Sequence, residues 1–215
     1  MEVKFNTEYL DNINAIGKEL ALALKSWNLP NWTFEETYAI VSKYGWYLPP
    51  FAEISLAFSI MKLYEAENIV EAEKTMVKYF KKNIKEIESE LITLHPTKAE
   101  IIKEAFRAHK RKMFYSSTIL FLSQADGICD SIIFTASKLN KFKSKESVHP
   151  IVKVLSATNP LTDYYNPKTK NSNYFSELNR HAVMHGISNE YGNEINSLKA
   201  LSLVCFVSDF ARHYK

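Results

Sequence analysis

The sequence predicts an all-α protein, a helical bundle, on three observations. Glycine is scarce, 5 in 215 residues, where average usage near ~7% would give about 15. Sheets with tight turns, Rossmann-type folds and P-loops all draw on glycine, so this scarcity counts against them and against the nucleotide cofactors they hold. Apolar residues recur at helical spacing along most of the chain, with no sustained alternation of the kind a strand needs. Two strings, Thr33-Phe-Glu-Glu36 and Thr97-Lys-Ala-Glu100, have the pattern of a capping box that starts a helix.

Taken in order, Asn6 to Trp27 forms the first predicted helix, with Leu10, Ile13, Ile16, Leu20 and Leu24 on its apolar face. Asn28-Leu-Pro-Asn31 ends it, and the box at Thr33 starts a second helix that runs to the break at Gly45–Pro50. Helical patterning resumes at Phe51 and continues to about Leu94, with a bend near Asn68. His95-Pro96 stops that run, because the residue before proline is pushed out of the helical region. A long helix is expected from Lys98 to about Ser137. Two polar loops, 138–147 and 159–173, flank a short helix at Pro150–Ala157. A helix from Tyr174 to His185, a turn at Gly186–Gly192 and an apolar helix from Asn193 to Arg212 complete the chain. The natural division lies at His95-Pro96, giving an N-terminal helical region (1–95) and a C-terminal bundle (96–215).

Apolar residues make up 46% and charged residues 24%, the balance of a globular protein large enough to bury a core without disulfides. Cys129 and Cys205 lie far apart in apolar surroundings and are expected as buried free thiols. The stretch Ile119–Phe134 is apolar, but Gln124, Asp126 and Asp130 interrupt it and make a membrane span costly. With no signal-peptide pattern at Met1-Glu-Val-Lys, a reducing, cytoplasmic location is expected. Charge is uneven. Residues 1–100 carry 11 Lys against 15 Asp and Glu, and residues 101–215 carry 16 Lys and Arg against 9 acids, so the second half is the one suited to an anionic partner.

The residues best suited to chemistry stand in Asn179-Arg180-His181-Ala-Val-Met-His185-Gly186. A histidine takes a proton from a hydroxyl near neutral pH. An arginine fork grips phosphate and offsets the charge of a pentacoordinate transition state. On an ideal helix Arg180 and His185 are separated by about 140°, so they converge only near a helix end or in a groove shared with a second helix. Gly186 supplies such an end. His181 and His185 also have the i, i+4 spacing of zinc ligands, but Ala182 stands where a zinc protease needs glutamate and no third ligand follows, so no metal is assigned. On the helix predicted around Ser116–Ser137, Ser123, Asp126 and Asp130 form one polar stripe.

Arg180, a polar residue, three further residues and His185, near the end of a helical domain, resemble the motif of the HEPN superfamily (higher eukaryotes and prokaryotes nucleotide-binding) over about residues 110–215. The resemblance implies a HEPN-like bundle that dimerises to bring two motifs into one composite site. It further implies a metal- and cofactor-independent endoribonuclease of a toxin–antitoxin or antiphage system, with an antitoxin or regulatory partner. By the same resemblance His185 and Arg180 are catalytic, with Asp126 and His181 orienting them. The HEPN subgroup paired with nucleotidyltransferase antitoxins has tyrosine two residues after the histidine, where Ile187 stands here. Many HEPN-like domains bind nucleotides, RNA or proteins without cutting, and a silent binding or dimerisation module is the alternative. Lys110, Arg111, Lys141 and Lys143 are candidates for RNA phosphate contacts, with Tyr165 placed to stack on a base.

Overall fold

A computed structural model describes residues 34–49, 52–131 and 178–214. The chain divides into two compact units, 1–33 and 34–215, and the described residues belong to the second. They form eight α-helices and one 3-10 turn, with no strand. These are α1 (Phe34–Lys43), α2 (Ile54–Glu65), α3 (Ile69–Lys82) and α4 (Ile84–Leu94), then the 3-10 turn Pro96–Lys98, followed by α5 (Ala99–Lys110), α6 (Phe114–Ile128), α7 (Arg180–Met184) and α8 (Glu194–Tyr214). The protein is all-α, as the sequence predicts. The expected helices at Asn6–Trp27 and Pro150–Ala157, and the loops around the latter, lie outside the described residues.

The central element is α8. Leu198, Leu201, Leu203, Phe206 and Val207 are completely buried, and so are Ser197 and Ser202, so the helix is enclosed on every side and takes the middle of the bundle. Its chief neighbour is α6, with α3 and α4 also packed against it. Three of its serines each tie a different neighbour to the axis. Ser197 meets His109 Nδ1 at 2.8 Å and Ser117 Oγ at 2.7 Å, Ser202 accepts from the Tyr47 amide at 3.1 Å, and Ser208 meets His95 Nε2 at 2.7 Å. Each pairing satisfies a polar group that burial would otherwise penalise by ~1–3 kcal/mol. Lys199 is buried as well, paired with Glu73 at 2.8 Å and lying over the Trp46 ring. Trp46 is completely buried in the core, and Cys129 and Cys205 are buried thiols.

Several boundaries differ from the sequence reading, and each difference has a local cause. The run from Phe51 to Leu94 is three helices. The bend at Asn68 is an N-cap whose side chain accepts from the Glu71 amide, and a second break falls at Asn83, which turns its own amide onto Tyr79 O. The Thr97 capping box does not form: Thr97 is drawn inside the 3-10 turn that Pro96 opens, and α5 starts from Lys98 without a side-chain cap. Near Tyr174–His185, Asn179 is extended (φ −114°, ψ 119°) and α7 begins only at Arg180.

The long helix expected from Lys98 to Ser137 is an antiparallel hairpin, α5 and α6, turning at Arg111–Met113. Met113 N–H donates to Ala108 O and Lys112 N–H to His109 O, with Lys112 at φ +60°. This is a Schellman ending with lysine where glycine is usual. A left-handed lysine costs ~1–2 kcal/mol, which packing offsets. Phe106 and Phe121 would stand about 22 Å apart on a straight helix and instead meet edge-to-face at 5.2 Å. Glu67 at φ +54° ends α2 with the same bond pattern, from Asn68 N–H to Leu63 O and Glu67 N–H to Tyr64 O. Helix α6 stops at Ile128, before the expected end, with Asp130 at φ +51°.

Candidate functional site

The Arg180–His185 string forms a helix of little more than one turn, secured at both ends by its own residues. Asn179 Oδ1 accepts from the Ala182 amide at 2.8 Å, satisfying one of the four donors that a helix start leaves open. At the other end Gly186 takes φ +68°, so that Ile187 N–H donates to Ala182 O at 2.8 Å and Gly186 N–H to Val183 O at 3.1 Å. Leu178, Ala182 and Val183 are buried and anchor the turn to the core. Arg180 is therefore the first helical residue and His185 the C-cap, which sets the pair at opposite ends of the turn.

Helix α6 supplies the partner. Arg180 Nη2 donates to Asp126 Oδ2 at 2.6 Å, and the two side chains are 18% and 28% exposed. Short, charge-assisted and mostly shielded from solvent, this contact belongs to the stronger class of hydrogen bonds. Asp126 Oδ1 is buried and accepts no hydrogen bond among the described residues, so half of the carboxylate keeps its accepting capacity. The other members of the predicted stripe go elsewhere. Ser123 Oγ donates back to Leu120 O at 2.9 Å, and Asp130 lies beyond the end of α6.

His181 and His185 stack loosely, with ring centroids 4.3 Å apart and planes at 40°. Burial holds the His181 pKa below the usual histidine value, and the neighbouring His185 and Arg180 push the same way. Its imidazole is therefore neutral at pH 7 and able to accept a hydrogen bond or proton. His185 is exposed at the helix end. The following segment lies along α6: Tyr115 Oη donates to Asn189 O at 3.0 Å, and the Tyr115 ring occupies the space a side chain at Gly192 would need. Met184, Ile187, Tyr115 and Ile119 are exposed on these same elements.

Of the candidate RNA contacts, Lys141, Lys143 and Tyr165 lie outside the described residues. Lys110 is ion-paired with Glu88, and Arg111 is exposed in the α5–α6 turn. That turn is at the far end of α6 from Asp126, which lies twelve residues in from Phe114, about 18 Å along the axis. The fold does not bring Lys110 and Arg111 to the Arg180 pair. Two residues that sequence reasoning passed over are placed where they matter. His109, in the last turn of α5, is buried (7% exposed), and burial lowers its pKa; Glu194 opposes that shift, while Lys81 and Lys110 add to it. Lys98 reaches across to Gly127, beside Asp126. The signal for both was the hairpin turn at Lys112, which carries no glycine or proline to announce it. Among the described residues no helix is long and apolar enough to cross a membrane. No family model, curated protein or solved structure matches the chain.

Proposed function

We propose that the protein is a metal-independent endoribonuclease of HEPN type, in which the 2′-OH of RNA attacks its own phosphodiester. The observation that carries this reading is the Arg180–Asp126 contact, which presents a guanidinium from a fixed direction beside two histidines, one of them exposed. In the proposed reaction His185 moves the proton between the attacking 2′-OH and the leaving 5′-oxygen. Arg180 holds the phosphate oxygens as charge builds on them, and Asp126 and His181 orient the two. The site is proposed to be composite, completed by a second copy. Exposed Met184 and Ile187 beside the motif, with Tyr115 and Ile119 exposed farther along α6, favour that assembly, since exposed apolar groups are the usual material of an interface. In a cell the role proposed is that of a toxin or antiphage effector held in check by an antitoxin or regulatory protein.

The test is cleavage of a labelled RNA in EDTA. Products ending in 2′,3′-cyclic phosphate, and their loss in His185→Ala, are expected; equal cleavage by His185→Ala overturns the assignment. A second reading has its own observation. Arg180 is mostly buried and already paired, as it would be in a silent binding or dimerisation module whose ion pair only holds α7 to α6. Binding of RNA or a protein partner with no cleavage by the wild-type protein would select that module.

A further inference from the structure

Gly127 is a glycine without a backbone reason to be one. It lies in the last turn of α6, and the glycines with positive φ are Gly45 and Gly186, so it has ordinary helical geometry. Alanine there would favour the helix by ~0.5–1 kcal/mol. The first atom a Cβ at Gly127 would meet is Lys98 Nζ, at 2.9 Å, followed by Lys98 Cε at 3.8 Å, and no other part of the described residues beyond its own helix turn comes within 4 Å. The missing side chain is therefore occupied by an ammonium group.

That ammonium is unusual in two ways. Lys98 is half-buried yet makes no ion pair among the described residues, whereas the other described lysines that are not exposed, Lys103 and Lys199, each hold a carboxylate. The residue it covers is also the α6 neighbour of Asp126, about 1.5 Å of rise and about 100° around the axis away, and Asp126 is the carboxylate that meets Arg180. Two cations, one fixed by an acid and one uncompensated, thus flank the same turn of α6. A polyanion with regularly repeated charges is the ligand that satisfies both.

We propose that Lys98, seated over Gly127, is a second phosphate anchor beside the Arg180–Asp126 pair, taking the RNA backbone phosphate next to the one that Arg180 engages. This rests on the reading of the site as an RNA-cleaving one. Gly127 acts through Lys98, by leaving the space in which the ammonium lies against the helix. Lys98 also lies near the C-terminal end of α6, where a cation favours the helix dipole, and the test separates that role from RNA binding.

Binding of a fluorescein-labelled single-stranded 12-mer RNA is measured across a salt series, with the full chain carrying His185→Ala to stop cleavage. Against this parent, Lys98→Ala is expected to bind three- to fivefold more weakly near 0.15 M salt and to lower the slope of log affinity against log salt by about 0.7, the loss of one phosphate contact. Gly127→Ala keeps the charge but displaces it, so it is expected to weaken binding in the same direction while raising the thermal midpoint. Lys62→Ala, a remote exposed lysine, is the control and leaves both unchanged. A lower midpoint with an unchanged salt slope in Lys98→Ala would leave only the helix-end role and overturn the anchor. Parent-like binding by Gly127→Ala would reduce Lys98 to diffuse charge and overturn the built site. These failures leave wild-type cleavage intact; if the wild-type protein neither binds nor cuts the RNA, the ribonuclease reading fails and the anchor with it.

Discussion

His109 and His185 stand near helix ends of the same kind. His109 lies in the last turn of α5 and His185 is the C-cap of α7; each helix ends on a left-handed residue, Lys112 and Gly186, and the backbone bonds that close the two helices follow one pattern. Their surroundings are opposite. His109 is sealed between Phe114, Ser197 and the core, with its Nδ1 bonded to the Ser197 hydroxyl. His185 is exposed, against His181 and one turn from a paired arginine. The difference separates a histidine fixed inside the fold from one open to solvent. A ring whose polar atom is satisfied inside the core stabilises the fold and has no access to substrate. A ring at the surface, next to a guanidinium held in place, adds little to stability and is free to exchange protons.

The sharpest way to break this contrast is to remove each histidine in turn. His185→Ala should lower RNA cleavage by on the order of 10²-fold or more while the thermal midpoint stays near wild type, as for most exposed positions. His109→Ala should do the reverse, costing ~2–4 kcal/mol in urea unfolding through a cavity and the loss of one of the two hydrogen bonds of Ser197, with cleavage per folded molecule unchanged. Exchanged effects would refute the comparison. Arg180→Lys comes next. It keeps the charge and loses the planar fork, so a cleavage loss approaching that of His185→Ala supports two-pronged phosphate contact, and near-normal activity shows that another residue does this work.

Asp126→Asn is expected to have a smaller effect. It replaces a charge-assisted bond worth ~1.5–3 kcal/mol with a neutral one, and a loss of about tenfold in cleavage is expected where Asp126 orients Arg180. A fall in stability with no fall in cleavage would mark the pair as a tie between α6 and α7. Acid is a milder probe. Burial holds the His109 and His181 pKa values down in the folded state, so the unfolded chain binds more protons below its ordinary pKa of ~6.5. Stability should be level above about pH 7 and decline as the pH falls from ~6.5. His109→Phe should flatten that decline more than His181→Phe does, because His109 is the more buried; the opposite order contradicts it. The smallest effect belongs to the turns. Lys112→Gly relieves a left-handed lysine and should gain about 0.5 kcal/mol, whereas Gly186→Ala should lose about 1 kcal/mol.

Much of the helical content was legible because it depends on local chemistry: scarce glycine, 3.6-residue periodicity, a helix starting at Asn193, His95-Pro96 at a stop. The last helix starts where that reading puts it, with the Asn193 side chain accepting from the Asn196 amide at 2.8 Å. The hairpin at Lys112 and the ending at Glu67 were not legible, since a lysine or glutamate adopts a left-handed cap only when packing elsewhere offsets its cost. The same blindness hid His109. Its bond to Ser197 spans 88 residues, and nothing near either residue in the chain announces the other.

For the candidate site, the sequence by itself determined the short motif helix, because Asn179 and Gly186 close it with their own side chain and backbone, and it supplied the arginine and the histidines. Only the tertiary structure decided which acid Arg180 meets. Ser123, Asp126 and Asp130 are equivalent on a helical wheel, but α6 stops at Ile128 and Ser123 bonds its own backbone, leaving Asp126 as the member of the stripe that meets Arg180 at 2.6 Å. Folding α5 back along α6 likewise brought Lys98 to Gly127 and carried Lys110 and Arg111 to the opposite end. Local hydrogen bonds close helix ends within a few residues. The pairing of charges across 54 positions waits on where the core lets the helices lie.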